Sequence, residues 1–117
     1  MSQSLSARVS RSGELLGDRI RLADSFLSRL FGLLGYSELP ENCGLLIAGC
    51  NQVHMFGMRF PIDILFLTND GTVVDFISNL RPWRYSKRIS KADKVLELPA
   101  GTLQTRDVRL GDQILLE

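Results

Sequence analysis

A chain of 117 residues and 13.1 kDa, 44% hydrophobic and 23% charged, fits one globular domain with its own core. No apolar run approaches the roughly 18–20 residues of a membrane span, and Met1 to Gly13 lacks the apolar stretch of a secretory signal. Fourteen Lys and Arg against 13 Asp and Glu leave no global field for a polyanion, so a soluble cytoplasmic protein is expected, without a membrane partner and with nucleic acid disfavoured.

In chain order, residues 1–5 read as a frayed end of a single domain spanning 1–117. Ala7 to Leu22 reads as short strands, with Ser12-Gly13 and Gly17-Asp18 as turn signals. Phe26, Leu27, Leu30, Phe31 and Leu34 form one apolar stripe. This predicts an amphipathic helix near residues 24–34, with Asp24 as N-cap and Gly35 just past its end. Leu45 to Ile47, Ile62 to Leu67 and Thr72 to Ile77 read as strands, the last two joined by a hairpin at Thr68-Asn69-Asp70-Gly71. Val95 to Leu98 is a strand closed by Pro99. Ala100 to Leu110 is ambiguous, with room for a short helical turn. Gln113 to Leu116 is a final strand after the Gly111-Asp112 turn. Many short strands with frequent turns predict a mainly β (α+β) fold: a barrel or sandwich carrying one packed helix, with no basis for a parallel α/β sheet.

The unusual chemistry clusters between Cys50 and Ile64. This segment contains the run His54-Met55-Phe56-Gly57-Met58-Arg59-Phe60-Pro61-Ile62-Asp63. With Asp70-Gly71, Leu80-Arg81-Pro82-Trp83-Arg84, Val95 to Gly101, Gly111-Asp112, Arg29 and Gly32-Leu33-Leu34, it resembles the prokaryotic family known as domain of unknown function 192, over about residues 20–117. The resemblance implies a compact β-rich fold and no particular reaction. Some members of that family carry signal peptides; this chain departs from them.

Read physically, Asp63 sits among Ile62, Ile64, Leu65 and Phe66, and a carboxylate buried there needs a partner. It either ties down the loop before its own strand or orients His54, the only histidine. His54 itself is a structural hydrogen-bonder, a general base, or a polar contact for a ligand. Cys50, His54 and Asp63 could form a thiol-activating set, with Cys43 a weaker thiol candidate. Met55 and Met58, with Cys50 and His54, make a soft-ligand set of the kind that suits Cu(I), although methionines beside Phe56 also fill cores. Gly57 predicts a bulge or a close backbone approach, and Pro61 a strand start or edge; together they would splay the run into a groove. Cys43 and Cys50 make neither a disulfide framework nor a zinc knuckle, and no phosphate-cradling glycine loop is present. No metal and no cofactor is therefore expected.

A second segment, Arg81 to Lys94, holds six bases (Arg81, Arg84, Lys87, Arg88, Lys91, Lys94) against Asp93 and interleaves them with Trp83 and Tyr85. It reads as a solvated loop whose Trp83 packs on the core, or as a single-stranded nucleic-acid surface. The functional expectation is a module binding a small molecule or peptide at His54, Met55, Phe56, Met58, Arg59, Asp63 and Trp83. Arg59 would offer a cationic fork. The alternatives are a hydrolase or thiol-dependent enzyme using Cys50, His54 and Asp63, and nucleic-acid binding through Arg81 to Lys94.

Overall fold

The computed structural model describes residues 4–23, 38–56 and 58–117. The helix expected near residues 24–34 and the bulge expected at Gly57 lie outside them.

All six residues of the strand Ile62–Leu67 are buried, which is why the sequence shows an unbroken apolar run there instead of alternation. In chain order the strands are β1 (Leu5–Val9), β2 (Leu15–Ala23), β3 (Cys43–Ala48), β4 (Ile62–Leu67), β5 (Val73–Leu80), β6 (Lys94–Pro99) and β7 (Ile114–Leu116). The helix α1 (Thr102–Thr105) precedes β7. They form one seven-stranded sheet in the order β5-β4-β6-β3-β2-β1-β7. The protein is mainly β, as its turns and short apolar runs predict. The β2–β3 pair is parallel, a feature the sequence reading did not anticipate. A parallel pair cannot be joined by a tight hairpin.

The alternation within each strand sorts the core into two layers. Ile62, Ile64 and Phe66 of β4, with Val95 and Ile47, face one side, where Val53, Met55, Met58, Phe60 and Leu80 cover them. Leu65 and Leu67, with Leu96, Leu98, Ile20, Val9 and Ile114, face the other side, inside the curl of the sheet.

The curl brings the two edges together at one corner. Thr72 bridges Gln113, Val73 N–H donates to the Asp112 carbonyl (2.8 Å), and Ile114 N–H donates to the Gly71 carbonyl (2.9 Å). The β4–β5 hairpin turns where expected: Gly71 N–H donates to Thr68 O at 3.0 Å, and Gly71 has φ 91°. A Cβ there would lie 2.6 Å from the Ile114 carbonyl oxygen, so glycine permits both the turn and the approach of β7. Gly17-Asp18, expected as a turn, lies inside β2 instead. A Gly17 Cβ would lie 2.8 Å from Asn42 O, which accepts the Asp18 and Arg19 N–H groups at 3.1 and 2.9 Å, so a close backbone approach accounts for this glycine.

Candidate functional site

Residues 51–56 and 83–89 run antiparallel as a two-stranded ribbon over the outer layer of the core. His54 pairs with Tyr85. Met55 N–H donates to Arg84 O (2.8 Å), Trp83 N–H to Met55 O (3.0 Å), Ser86 N–H to Val53 O (2.9 Å) and Ile89 N–H to Asn51 O (2.9 Å). Buried Ser86 pins the ribbon: its hydroxyl accepts the Val53 N–H at 2.9 Å and donates to Lys87 O at 2.9 Å.

Period-two alternation gives the ribbon two unlike faces. Val53, Met55 and Ser86 are buried beneath it, whereas His54, Phe56, Trp83 and Tyr85 are exposed. Trp83 and Tyr85 are 67% and 65% exposed, against an expectation that Trp83 would pack on the core. The four rings form a row. Tyr85 and His54 have centroids 6.3 Å apart, His54 and Phe56 stack at 5.9 Å and 19°, and Phe56 and Trp83 lie 6.1 Å apart.

Trp83 stands out because of a turn. Arg84 N–H donates to Arg81 O at 3.2 Å, closing a four-residue turn with Pro82 second and Trp83 third. Trp83 has φ 67°, the left-handed conformation that a type II turn requires at its third position, where glycine or asparagine is preferred. A bulky residue held there costs about 1–2 kcal/mol. The turn withdraws the Trp83 ring from the core and sets it at the end of the row.

The candidate residues therefore separate. His54, Phe56, Arg59 and Trp83 are at the surface, while Met55 (1%), Met58 (4%) and Asp63 (0%) are buried and cannot touch an external ligand. Met55 and Met58 are core filler, so a surface copper set with Cys50 and His54 does not form. Among the described residues, no group of three or more His, Cys, Asp or Glu could hold a metal ion.

Asp63 does not orient His54. Between Ile62 and Ile64, which pack beneath the ribbon, Asp63 points to the opposite face of the sheet. There Oδ1 accepts the N–H of Asn79 (2.8 Å), and Oδ2 accepts those of Gly101 (3.1 Å) and Leu103 (2.8 Å). The first donor belongs to a bulge in β5, where the register with β4 shifts and Asn79 adopts φ 60°. The other two belong to the start of α1, which has no side-chain cap of its own. Asp63 thus ties down a bulge and a helix start that are distant in sequence and, among the described residues, not the loop before its own strand.

Cys50 also stays apart from His54, since its thiol donates to Gln52 O at 3.1 Å. Among the described residues, the Arg59 side chain forms no ion pair, nor do those of Arg81, Arg84, Lys87, Arg88 and Lys91, all exposed. The expected small-molecule or peptide site left out Tyr85 and Ser86, although Tyr85 belonged to the alternative nucleic-acid segment. The signal for Tyr85 was the i, i+2 spacing of His54/Phe56 and Trp83/Tyr85, which marks one face of paired strands. Ser86 had none, since only the cross-strand partner shows its role. A cleft of about 470 Å³ lies elsewhere, lined in part by Leu16, Glu41, Asn42, Pro99, Thr102 and Arg106.

A family model, DUF192, described as Uncharacterized ACR, matches residues 7–116. The chain belongs to this family. A DUF192 protein is what the His54–Asp63 run pointed to. A UPF0127 protein of Thermococcus sibiricus is 31% identical over 87% of this chain and 68% of its own. One from Pyrococcus abyssi is 32% identical over 82% of this chain and 84% of its own. Two crystal structures share the fold. A Sinorhizobium meliloti protein provisionally named a transcription regulator has a TM-score of 0.74 and 26% identity, covering 99% of this chain and 96% of that one. A Novosphingobium aromaticivorans protein of unknown function has a TM-score of 0.73 and 20% identity, covering 95% and 82%. No helix among the described residues is long and apolar enough to cross a membrane.

Proposed function

We propose that this DUF192 protein is a ligand-binding module whose contact surface is the exposed ring row His54, Phe56, Trp83 and Tyr85, with Arg59 and Arg84 as flanking cations. One observation carries the reading: four aromatic rings stand side by side in solvent on a ribbon anchored from below by buried Val53, Met55 and Ser86. Leaving rings in water forgoes roughly 1.5–3 kcal/mol of burial for each large side chain, and contiguous exposed apolar patches mark interaction sites. The ligand recognised by such a surface offers flat faces and negative charge. The provisional naming of the Sinorhizobium relative as a transcription regulator is compatible with a binding role.

The reading gives Cys50, His54 and Asp63 no shared chemistry, because each has its own separate surroundings. We place the protein in the cytoplasm, where free thiols such as those of Cys43 and Cys50 persist.

The test uses backbone and ring resonances of the labelled protein against a panel of anionic aromatic small molecules and acidic, aromatic-rich peptides. Shifts that converge on His54, Phe56, Trp83 and Tyr85 support the assignment. Shifts confined to the cleft at Thr102 and Arg106 would place binding elsewhere and overturn it.

A further inference from the structure

We infer that the ring row takes single-stranded nucleic acid, its bases lying on the rings and its phosphates on the cations of the 81–91 segment. The inference rests on the binding reading above and names the ligand class.

Three observations carry it. The first is the row of rings. Tyr85, His54, Phe56 and Trp83 follow one another at centroid distances of 5.9–6.3 Å and are all exposed. Exposed rings in a row offer outer faces on which the bases of a single strand settle, as on other aromatic platforms. The second is charge. Arg81, Arg84, Lys87, Arg88 and Lys91 are exposed, form no ion pair among the described residues, and flank Trp83 and Tyr85 in the chain. The nearest acid in the chain, Asp93, lies just past the segment and accepts the Asn69 N–H at 2.9 Å. The near-neutral balance of the whole chain therefore conceals a local cationic stretch beside the rings. The third is the turn. Trp83 occupies a position where asparagine or glycine would relieve backbone strain, and the effect of keeping tryptophan there is an exposed indole at the end of the row.

The cleft at Thr102 and Arg106 lies away from the rings, so it gives a peptide on the row no adjoining pocket for its side chains. Bases need only flat faces, and every base has two.

The chain has one tryptophan, so its fluorescence reports this end of the row without ambiguity. Full-length protein is titrated with 12-nucleotide dT and rU strands, a duplex of equal length, and inorganic polyphosphate, each at two salt concentrations. Expected is quenching of Trp83 by the single strands, with log K falling against log salt at a slope near −2, about three phosphates at roughly 0.7 each. Arg84→Ala and Lys87→Ala should each flatten that slope by about 0.7. Labelled-strand anisotropy then reads Trp83→Asn, a substitution the turn accommodates, and Phe56→Ala. Each should weaken binding about tenfold, the loss of one stacked base. Circular dichroism and thermal unfolding establish that both variants remain folded.

Equal affinity for duplex or polyphosphate would reduce the site to unspecific charge and overturn the inference. So would silence toward every oligonucleotide while anionic aromatic molecules still shift the ring resonances, an outcome that leaves the binding reading standing. Concentration-dependent mass in sedimentation, with Trp83 blue-shifting on self-association and no strand bound, would make a second copy the occupant. Failure of every probe to move the rings would overturn both readings.

Discussion

Asp63 is the plainest case of a side chain whose role depends on where alternation points it. One step along β4 in either direction would turn it toward the ribbon and His54. As built, it satisfies three backbone donors that no secondary structure claims. Replacing it with alanine strands those donors and should cost about 3 kcal/mol or more in urea unfolding. Asp63→Asn should lose less, since its amide oxygen can still accept the Gly101 and Leu103 N–H groups while its NH2 faces that of Asn79. It should also leave the His54 ring resonances in place, because the two residues lie on opposite faces of the sheet. Trp83 behaves in the opposite sense. Trp83→Asn relieves a left-handed tryptophan, so its melting temperature should equal or exceed that of the parent protein while ligand binding falls. A stability loss there would mean the indole is held by packing after all.

The ribbon and the β4–β5 hairpin show how elements inherit their character. The ribbon is stable because Val53 and Met55 anchor one face and Ser86 supplies the hydroxyl that its strand pairing leaves room for. Its other face is then free to carry rings. The hairpin depends on Gly71, which combines φ 91° with close contact to β7. Gly71→Ala should destabilise by about 2 kcal/mol or more, read by chemical denaturation, because both the dihedral and the 2.6 Å approach must give. The turn was legible from Asp70-Gly71. The approach was not, because β7 lies more than forty residues further along the chain.

Closure of the curled sheet couples distant parts of the molecule through Asp112. Its carboxylate takes Arg11 Nε and Nη2 at 2.9 and 3.0 Å and the Arg109 N–H at 2.9 Å, while its carbonyl accepts from Val73. The β1–β2 hairpin, the loop before β7 and the start of β5 thus meet at one residue. The Arg11 guanidinium holds the Asp112 carboxyl down to about 2, well below its usual range near 3.9. A carboxylate depressed in the folded state stabilises fully above its unfolded pKa, and that contribution fades as pH falls toward the folded value. Acid unfolding should therefore draw on this site between about pH 4 and pH 2. Asp112→Asn should remove that portion of the pH dependence and lower stability at neutral pH, both measurable by thermal melts across pH. An acid profile unchanged by the substitution would show that closure does not depend on this ion pair.

Strand runs, the Asp-Gly hairpin, the strand start after Pro61 and the family signature were all legible from local pattern, because period, turn chemistry and apolar runs are properties of neighbouring residues. His54, Phe56 and Arg59 are exposed, and Trp83, expected to pack on the core, is exposed as well. The separation of His54 from Asp63, the burial of Met55 and Met58, the pairing of His54 with Tyr85 and the parallel β2–β3 contact were not legible. Each depends on which face of a strand meets which layer, or on a partner thirty or more residues away. Such contacts are settled when the sheet curls and the ribbon docks on it, because burial of the two apolar layers fixes every side chain's direction at once.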